Sequence, residues 1–207
     1  GIRNVYCVPN LHEIESREQR SFEQTEGLLF IGSYKHTPNV DAVRWLCEEI
    51  MPLVWAKLPN VIVTLLGSDP PTKVQMLRSQ LVHVPGFVAD VRPYFLRGRV
   101  FVAPLRFGAG LKGKIGHSLS YGLPVVTTPV GAEGFGLRHG YDCWLAEEHR
   151  SFAEGIVSVY TDSALWRRLS ENALKAVEPF QSSIVGPQAL HVIDQVISNP
   201  ADAVVSA

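Results

Sequence analysis

Five apolar runs without polar alternation limit what this 207-residue chain can become: LLFIGS (28–33), VIVTLLGS (61–68), LVHVPGF (81–87), RVFVAPL (99–105) and LPVVTT (123–128). A strand that is apolar at successive positions is covered on both faces. Stretches with helical periodicity separate the runs. The clearest is 39–58, where Val40, Val43, Leu46, Ile50, Leu53 and Val54 share one face and Asn39, after Pro38, is placed to cap the start. Shorter helices are expected over 71–80, over 89–98 with Asp90 as cap, and over 111–122 with Gly122 as stop. Ser151 to Glu154 has the form of a capping box opening a helix to about Tyr160; further helices are expected over 163–177 and 191–198, with the tail PADAVVSA frayed. A weaker strand is expected at CWLAEE (143–148). Strands alternating with helices predict an α/β fold, a parallel sheet of about six strands with helices on both faces.

Composition narrows the function. An apolar fraction of 46% is enough for a core, and a net charge of −1 gives no electrostatic reason to expect nucleic acid as a partner. Cys7, Cys47 and Cys143 are odd in number and widely spaced, which argues for a reducing, cytoplasmic setting rather than a disulfide framework. No apolar run is long enough to span a bilayer, and Gly1 in place of Met reads as the start of a fragment or cleaved product.

Residues 104–117, PLRFGAGLKGKIGH, hold the chemistry. A buried-type strand runs into Gly108-Ala109-Gly110, and a helix is expected from about Leu111 with Lys112 and Lys114 in its first turn. Cations are unfavourable at that end of a helix unless an anion binds there, and glycine lets backbone approach such a ligand. Lys112 and Lys114 are two positions apart and cannot both face one ligand, so Arg106 and Lys112 rank ahead of Lys114. The plain alternative is a tight strand-to-helix turn with solvated lysines. Gly108-x-Gly110-x-x-Gly113, with Glu133 further on, also has the spacing of a dinucleotide fingerprint and would imply an NAD-dependent enzyme. Against that, three strands precede the motif, and its glycines begin well past the strand end.

The blocks LLFIGSYKHTPNVDAVRWLCEEIMP, VTLLGSDPP, VPGFVADVRPYF, FVAPLRFGAGLKGKIGHSLSYGLPVVTTPVGAEG and HGYDCWLAEE, in this order, resemble the C-terminal, donor-binding half of group-1 glycosyltransferases of the GT-B fold. VYCVPN (5–10) resembles the passage between the two domains of such enzymes. The resemblance implies a Rossmann-like nucleotide-sugar-binding domain over 27–180, an interdomain segment at 1–26, and a C-terminal helix and tail at 181–207 that leave the core. It implies sugar transfer from a nucleoside diphosphate, with retention, to a glycan, lipid or small-molecule acceptor held by an N-terminal domain outside this chain. Peripheral membrane contact of the longer protein is compatible with it. By the same resemblance Gly32, Ser33 and Tyr34 face the cleft, and Gly86, Phe87 and Val88 meet the nucleobase. Arg106, Gly108, Ala109, Gly110, Lys112 and Lys114 surround the diphosphate, with Arg106 and Lys112 in catalytic roles. No cofactor besides the donor and no metal is expected, and no D-x-D pair occurs.

The chain departs from the family pattern at three places. The family often has two glutamates eight positions apart around this loop; Ala109 and His117 occupy those places. His117 can accept one hydrogen bond from a ribose hydroxyl but cannot give a bidentate carboxylate contact. Lys35 and His36 do not reproduce the family's Arg…Lys pair. Glu133 is read as a sugar-hydroxyl ligand or a turn residue. The departures at Ala109 and His117 also leave open a non-catalytic interaction module of the same fold. His83, His139, His149 and His191 have no metal-binding spacing, and Trp45, Trp55 and Trp166 are read as packing residues.

Overall fold

The computed structural model describes residues 6–15 and 21–198. The expectations for Gly1 and for the tail from Pro200 lie outside the described residues. Strand β1 (Glu26–Ile31) leads to α1 (Thr37–Trp45), which continues through a π-helical turn, Leu46–Ile50, into α2 (Met51–Trp55). Then follow β2 (Val63–Leu66), α3 (Thr72–Gln75), β3 (Val82–Gly86), α4 (Arg92–Arg97) and β4 (Gly98–Ala103). The second half comprises α5 (Gly113–Ser120), β5 (Val125–Thr127), α6 (Pro129–Ala132), β6 (Trp144–Leu145), α7 (His149–Thr161), α8 (Ser163–Val177) and α9 (Ser182–Ser198).

The six strands form one sheet in the order β3-β2-β1-β4-β5-β6, all pairs parallel. Leu28 aligns with Val63 on one side and Val100 on the other. The continuous apolar runs have the expected cause. Leu28, Phe30, Val63, Leu65, Val100 and Val102 enter one core layer with α1, α2 and α7; Leu29, Leu66, Phe101 and Ala103 enter the opposite layer, with Phe95, Ile115 and Leu119. Trp45 and Trp166 are buried packing residues, and Trp55 packs half-buried against the same core.

Several local boundaries differ from the sequence expectation. The first helix starts at Thr37 with His36 as N-cap, so Asn39 lies inside its first turn, where its side-chain amide donates back to the Ser33 carbonyl (2.7 Å). The π turn falls directly before Pro52, which has no N–H to continue an α register. Helix α5 starts at Gly113, not Leu111: Gly108 and Gly110 hold φ of 130° and 73°, which keeps the chain in a loop up to Lys112. Helix α7 starts at His149, and the Ser151 hydroxyl donates to the Glu148 carbonyl instead of capping. Helix α4 is shorter than 89–98; Asp90 accepts from the Arg92 N–H (3.0 Å) just ahead of it. Helix α3 is a single turn within 71–80. Helix α9 begins well before 191 and absorbs Pro187 on an exposed position. Val185 is the one buried residue of α9.

Arg99, on β4, ties the segment ahead of β1 to the domain. Its guanidinium donates to the carbonyls of Phe22 (3.0 Å), Thr25 and Tyr160 (3.3 Å). It also stacks 4.1 Å from the Phe22 ring centroid and 4.6 Å from that of Tyr160. Replacement by Met strips three carbonyls of a charged donor, so Arg99→Met should lower stability by about 2–3 kcal/mol. Arg99→Lys should recover little of this, because the planar fork is lost. Urea midpoints of the three proteins check both statements.

Candidate functional site

Strand β1 is where the sheet order reverses, and a crevice opens at the carboxyl ends of β1 and β4, the position at which α/β sheets bind ligands. The β1 side supplies Gly32 and Ser33, and α1 supplies Pro38 and Asn39. The β4 side supplies the loop 105–112 and the first turns of α5. Together they line an open cleft of ≈ 690 Å³. A second cavity, of ≈ 540 Å³, lies at the amino end of the sheet near Glu26, Tyr94 and Arg97, remote from these lysines.

The loop after β4 is anchored from β5. Thr127 donates its hydroxyl proton to the Ala103 carbonyl (2.8 Å) and Thr128 to the Leu105 carbonyl (2.5 Å). Leu105 is buried, whereas Arg106 to Gly110 are exposed. The loop is thus fixed at its root and open at its tip. Gly108 and Gly110 are needed there for their positive φ, which a side chain would strain.

Of the residues singled out from the sequence, Gly32, Ser33, Gly108, Ala109, Lys112, Lys114 and His117 line the cleft. Gly110 belongs to the same loop, and its carbonyl accepts from Lys112. Arg106 turns to the rim: it makes a two-pronged pair with Asp41 (2.9 and 2.5 Å) and sits over the Trp45 ring, 5.3 Å from its centroid. Asp41 also holds the Arg106 guanidinium above its ordinary pKa, through the hydrogen bond first. Glu133 faces Lys112, 3.1 Å from its ammonium. Tyr34 is buried in the core rather than presented to the cleft. Gly86 ends the edge strand β3, with Phe87 and Val88 just beyond it, and β2 and β1 stand between β3 and β4; Phe87 is 77% exposed. Asn39, His36 and Phe107 also line the cleft and were not singled out as ligands. The signal available for Asn39 was its position just after the Gly-Ser turn, which equally fits a helix cap.

Both Lys112 and Lys114 line the cleft, contrary to the expectation from helix phase, because Lys112 is an N-cap with extended backbone and lies outside the helical register. The two lysines differ in kind. Lys112 occupies the N-cap of α5, and its ammonium bends back to the Gly110 carbonyl (2.5 Å) and to Glu133. Lys114 lies in the first turn of α5 and is half-buried. Its ammonium donates to the Asn39 side-chain oxygen and sits 5.0 Å from the Phe30 ring centroid. Burial, with a smaller push from Lys112, brings its pKa down to about 8. A withdrawn ammonium whose polar partner is a neutral amide is a strong attractor for an anion. The N–H groups of the first turn of α5 open toward the same end. His117 stands one turn further along α5, against Phe95 (ring centroids 4.5 Å apart) and Tyr121 (5.4 Å). Burial lowers its pKa, so it is neutral at pH 7. The ring of His12 packs over Gly116 beside it. Among the described residues no group of His, Cys, Asp and Glu could hold a metal ion, and no helix is long and apolar enough to cross a membrane.

The family described as glycosyl transferases group 1 matches residues 25–162. An uncharacterized 44.6 kDa protein in the cps region of Klebsiella pneumoniae is 21% identical over 160 residues, 73% of this chain and 41% of that protein. A mutant of TarM from S. aureus, solved with fondaparinux, alpha-GlcNAc-glycerol and UDP, superposes with a TM-score of 0.77 at 15% identity, over 92% of this chain and 39% of its own. The C-terminal domain of LpcC, a glycosyl transferase group 1 family protein of Francisella tularensis, superposes with a TM-score of 0.57 at 15% identity, over 81% of this chain and 93% of that domain. The chain therefore spans less than half the length of the Klebsiella relative and of TarM.

The depressed pKa of Lys114 carries a stability cost that depends on pH. Below about pH 8 the lysine is protonated in both folded and unfolded chains, and the burial penalty is present in full. Between about 8 and the ordinary lysine value the unfolded chain binds more protons, so stability contributed at this position rises with pH. Lys114→Met should therefore be the more stable protein at pH 7. Its advantage should shrink by at most about 3 kcal/mol as pH rises to 10.5. Urea unfolding of both proteins across that range checks the sign and the window.

Proposed function

The chain belongs to the group 1 glycosyl transferases, and on that footing we propose that it is a donor-binding domain that holds a nucleoside-diphosphate sugar by its diphosphate in the β1–β4 cleft. The sugar would pass, with retention, to an acceptor presented by a preceding domain. The observation that carries the reading is the half-buried Lys114 ammonium at the switch point, beside Lys112 and the glycine loop. UDP in TarM supports the nucleotide class by analogy of fold.

The chemistry asked of these residues is modest and electrostatic. As the glycosidic bond to the donor breaks, negative charge grows on the leaving diphosphate. Lys114, Lys112 and the backbone N–H groups at the start of α5 are fixed in place to meet that charge, with little reorganisation. Lys112 is held by Glu133 and can exchange that carboxylate for a phosphate oxygen. Arg106, already bound to Asp41, contributes at the rim. His117, neutral, offers a single ring nitrogen to a ribose hydroxyl.

Titration calorimetry with UDP, GDP, their nucleosides and NAD tests the reading. A charged contact to phosphate is worth about 1.5–3 kcal/mol. Lys114→Met should accordingly weaken UDP or GDP at least about tenfold while leaving nucleoside binding nearly unchanged. Arg106→Ala should cost less, because Asp41 already neutralises it. Preferential binding of NAD would instead support a dinucleotide enzyme using Gly108, Gly110 and Gly113. Absence of any nucleotide binding would favour the interaction module. For the His117 contact, His117→Ala should cost about 0.5–1.5 kcal/mol in UDP or GDP affinity, and His117→Glu should restore or improve it.

A further inference from the structure

We propose that Asn39 is a positioning residue of the phosphate site, which ties the turn after β1 to Lys114 and keeps that ammonium charged and aimed at the cleft until an anion takes it over. The inference rests on the donor-binding reading above and adds to it a residue that nothing else marks.

Asn39 is buried, at 6% exposure, and spends both ends of its amide. The Nδ2 group donates to the Ser33 carbonyl (2.7 Å), and Oδ1 accepts from the Lys114 ammonium. One side chain thereby links the turn after β1, α1 and α5, three of the elements that line the cleft. The backbone around it is shaped to fit. A Cβ on Gly32 would lie 2.7 Å from Asn39 Nδ2 and 3.0 Å from Lys114 Nζ. Gly32 is not in the left-handed region, so its missing side chain makes room for this pair and does not serve the backbone.

The charges around Lys114 explain why an amide suits the place. Lys112, two residues before it, opposes its protonation, and the half-buried setting does so more strongly. His36 and His117 also line the cleft. Glu133 is engaged by Lys112 and Asp41 by Arg106, so neither carboxylate is given over to Lys114. A carboxylate at position 39 would hold the ammonium firmly and repel a phosphate. An apolar residue would leave the ammonium unsolvated and favour its neutral form. The amide stabilises the charged form with one neutral acceptor, a weaker bond than the charge-assisted one that a phosphate oxygen offers. An incoming diphosphate therefore displaces Asn39 Oδ1 at a favourable exchange, while the Ser33 bond keeps the turn in place.

Two measurements on the same proteins test this. The first is UDP and GDP affinity by calorimetry from pH 6.5 to 9.5. The parent should lose affinity above about pH 8, where Lys114 loses its proton. In Asn39→Ala the loss should begin about one pH unit lower, with affinity near the parent's at pH 6.5 and about tenfold weaker at pH 8. Gly32→Ala, which pushes on the pair with a methyl group alone, should shift the profile the same way. Asn39→Asp should move the inflection upward while weakening binding at every pH. The second measurement is the pH dependence of acetic anhydride labelling of Lys114 in the ligand-free protein, read by mass spectrometry. Its midpoint should fall in Asn39→Ala and rise in Asn39→Asp. A uniform loss of affinity with unmoved inflections and unmoved labelling midpoints would overturn the assignment and leave Asn39 a structural residue. Failure of the parent to bind either nucleotide, with shifted labelling midpoints, would overturn the donor reading and keep the hold of Asn39 on Lys114.

Discussion

Strand β1 pairs in parallel with β2 on one edge and β4 on the other, and the connections leaving those two edges run to opposite faces of the sheet. No helix can then cover the carboxyl ends of both strands, and a crevice forms between their loops. Each feature of the candidate site follows from that gap. Helices α1 and α5 present their amino ends to it because parallel strands force every crossover to restart at the same end of the sheet. The two helix starts bring first-turn N–H groups to one place, and the gap stays open because Leu105 at its floor is buried and its rim is loop.

Three cations stand near that gap, and their partners separate their roles. Arg106 is neutralised by Asp41, and Lys112 by Glu133, in pairs with at least one partner well exposed. Exposed pairs of this kind contribute little to stability and are easily exchanged. Lys114 is different. It bears a desolvation cost with only an amide and the face of an aromatic ring in return. On the proposed donor-binding reading, that cost is offset when an anionic ligand enters the cleft beside the glycine loop.

The sheet was legible in the chain because both-face burial leaves an uninterrupted apolar run in the inner strands; at the edge, β3 alternates buried and exposed residues, with His83 and Pro85 exposed, and β6 is only part-buried. Each of the five runs overlaps a strand, and the weak CWLAEE signal became β6, two residues long. The glycine loop was legible because positive φ has a residue signature. Helix starts were less so. Pro38-Asn39 and Ser151-Phe152-Ala153-Glu154 carry capping residues, but in both cases the helix begins earlier and the polar side chain serves another bond. Both competing partners are nearby carbonyls: Ser33, six residues back, takes the Asn39 amide, and Glu148, three residues back, takes the Ser151 hydroxyl. The ion pairs of the cations were not legible, because Asp41 and Glu133 are far from Arg106 and Lys112 in sequence and nothing local marks them as partners.

His117 shows how far one substitution in a conserved-type site reaches into its surroundings. Where the family pattern has a carboxylate, the chain has an imidazole packed on Phe95 and Tyr121, themselves stacked with ring centroids 4.9 Å apart. An apolar wall of this kind would raise the pKa of a carboxylate and favour its neutral form, and it does lower that of the imidazole. The wall is therefore matched to a neutral residue. His12, whose own pKa is lowered by burial and then by His117, adds to the reasons for keeping the site uncharged. On the proposed reading, this end of the cleft offers a ligand shape and single hydrogen bonds, and the charge comes from the lysines at the other end.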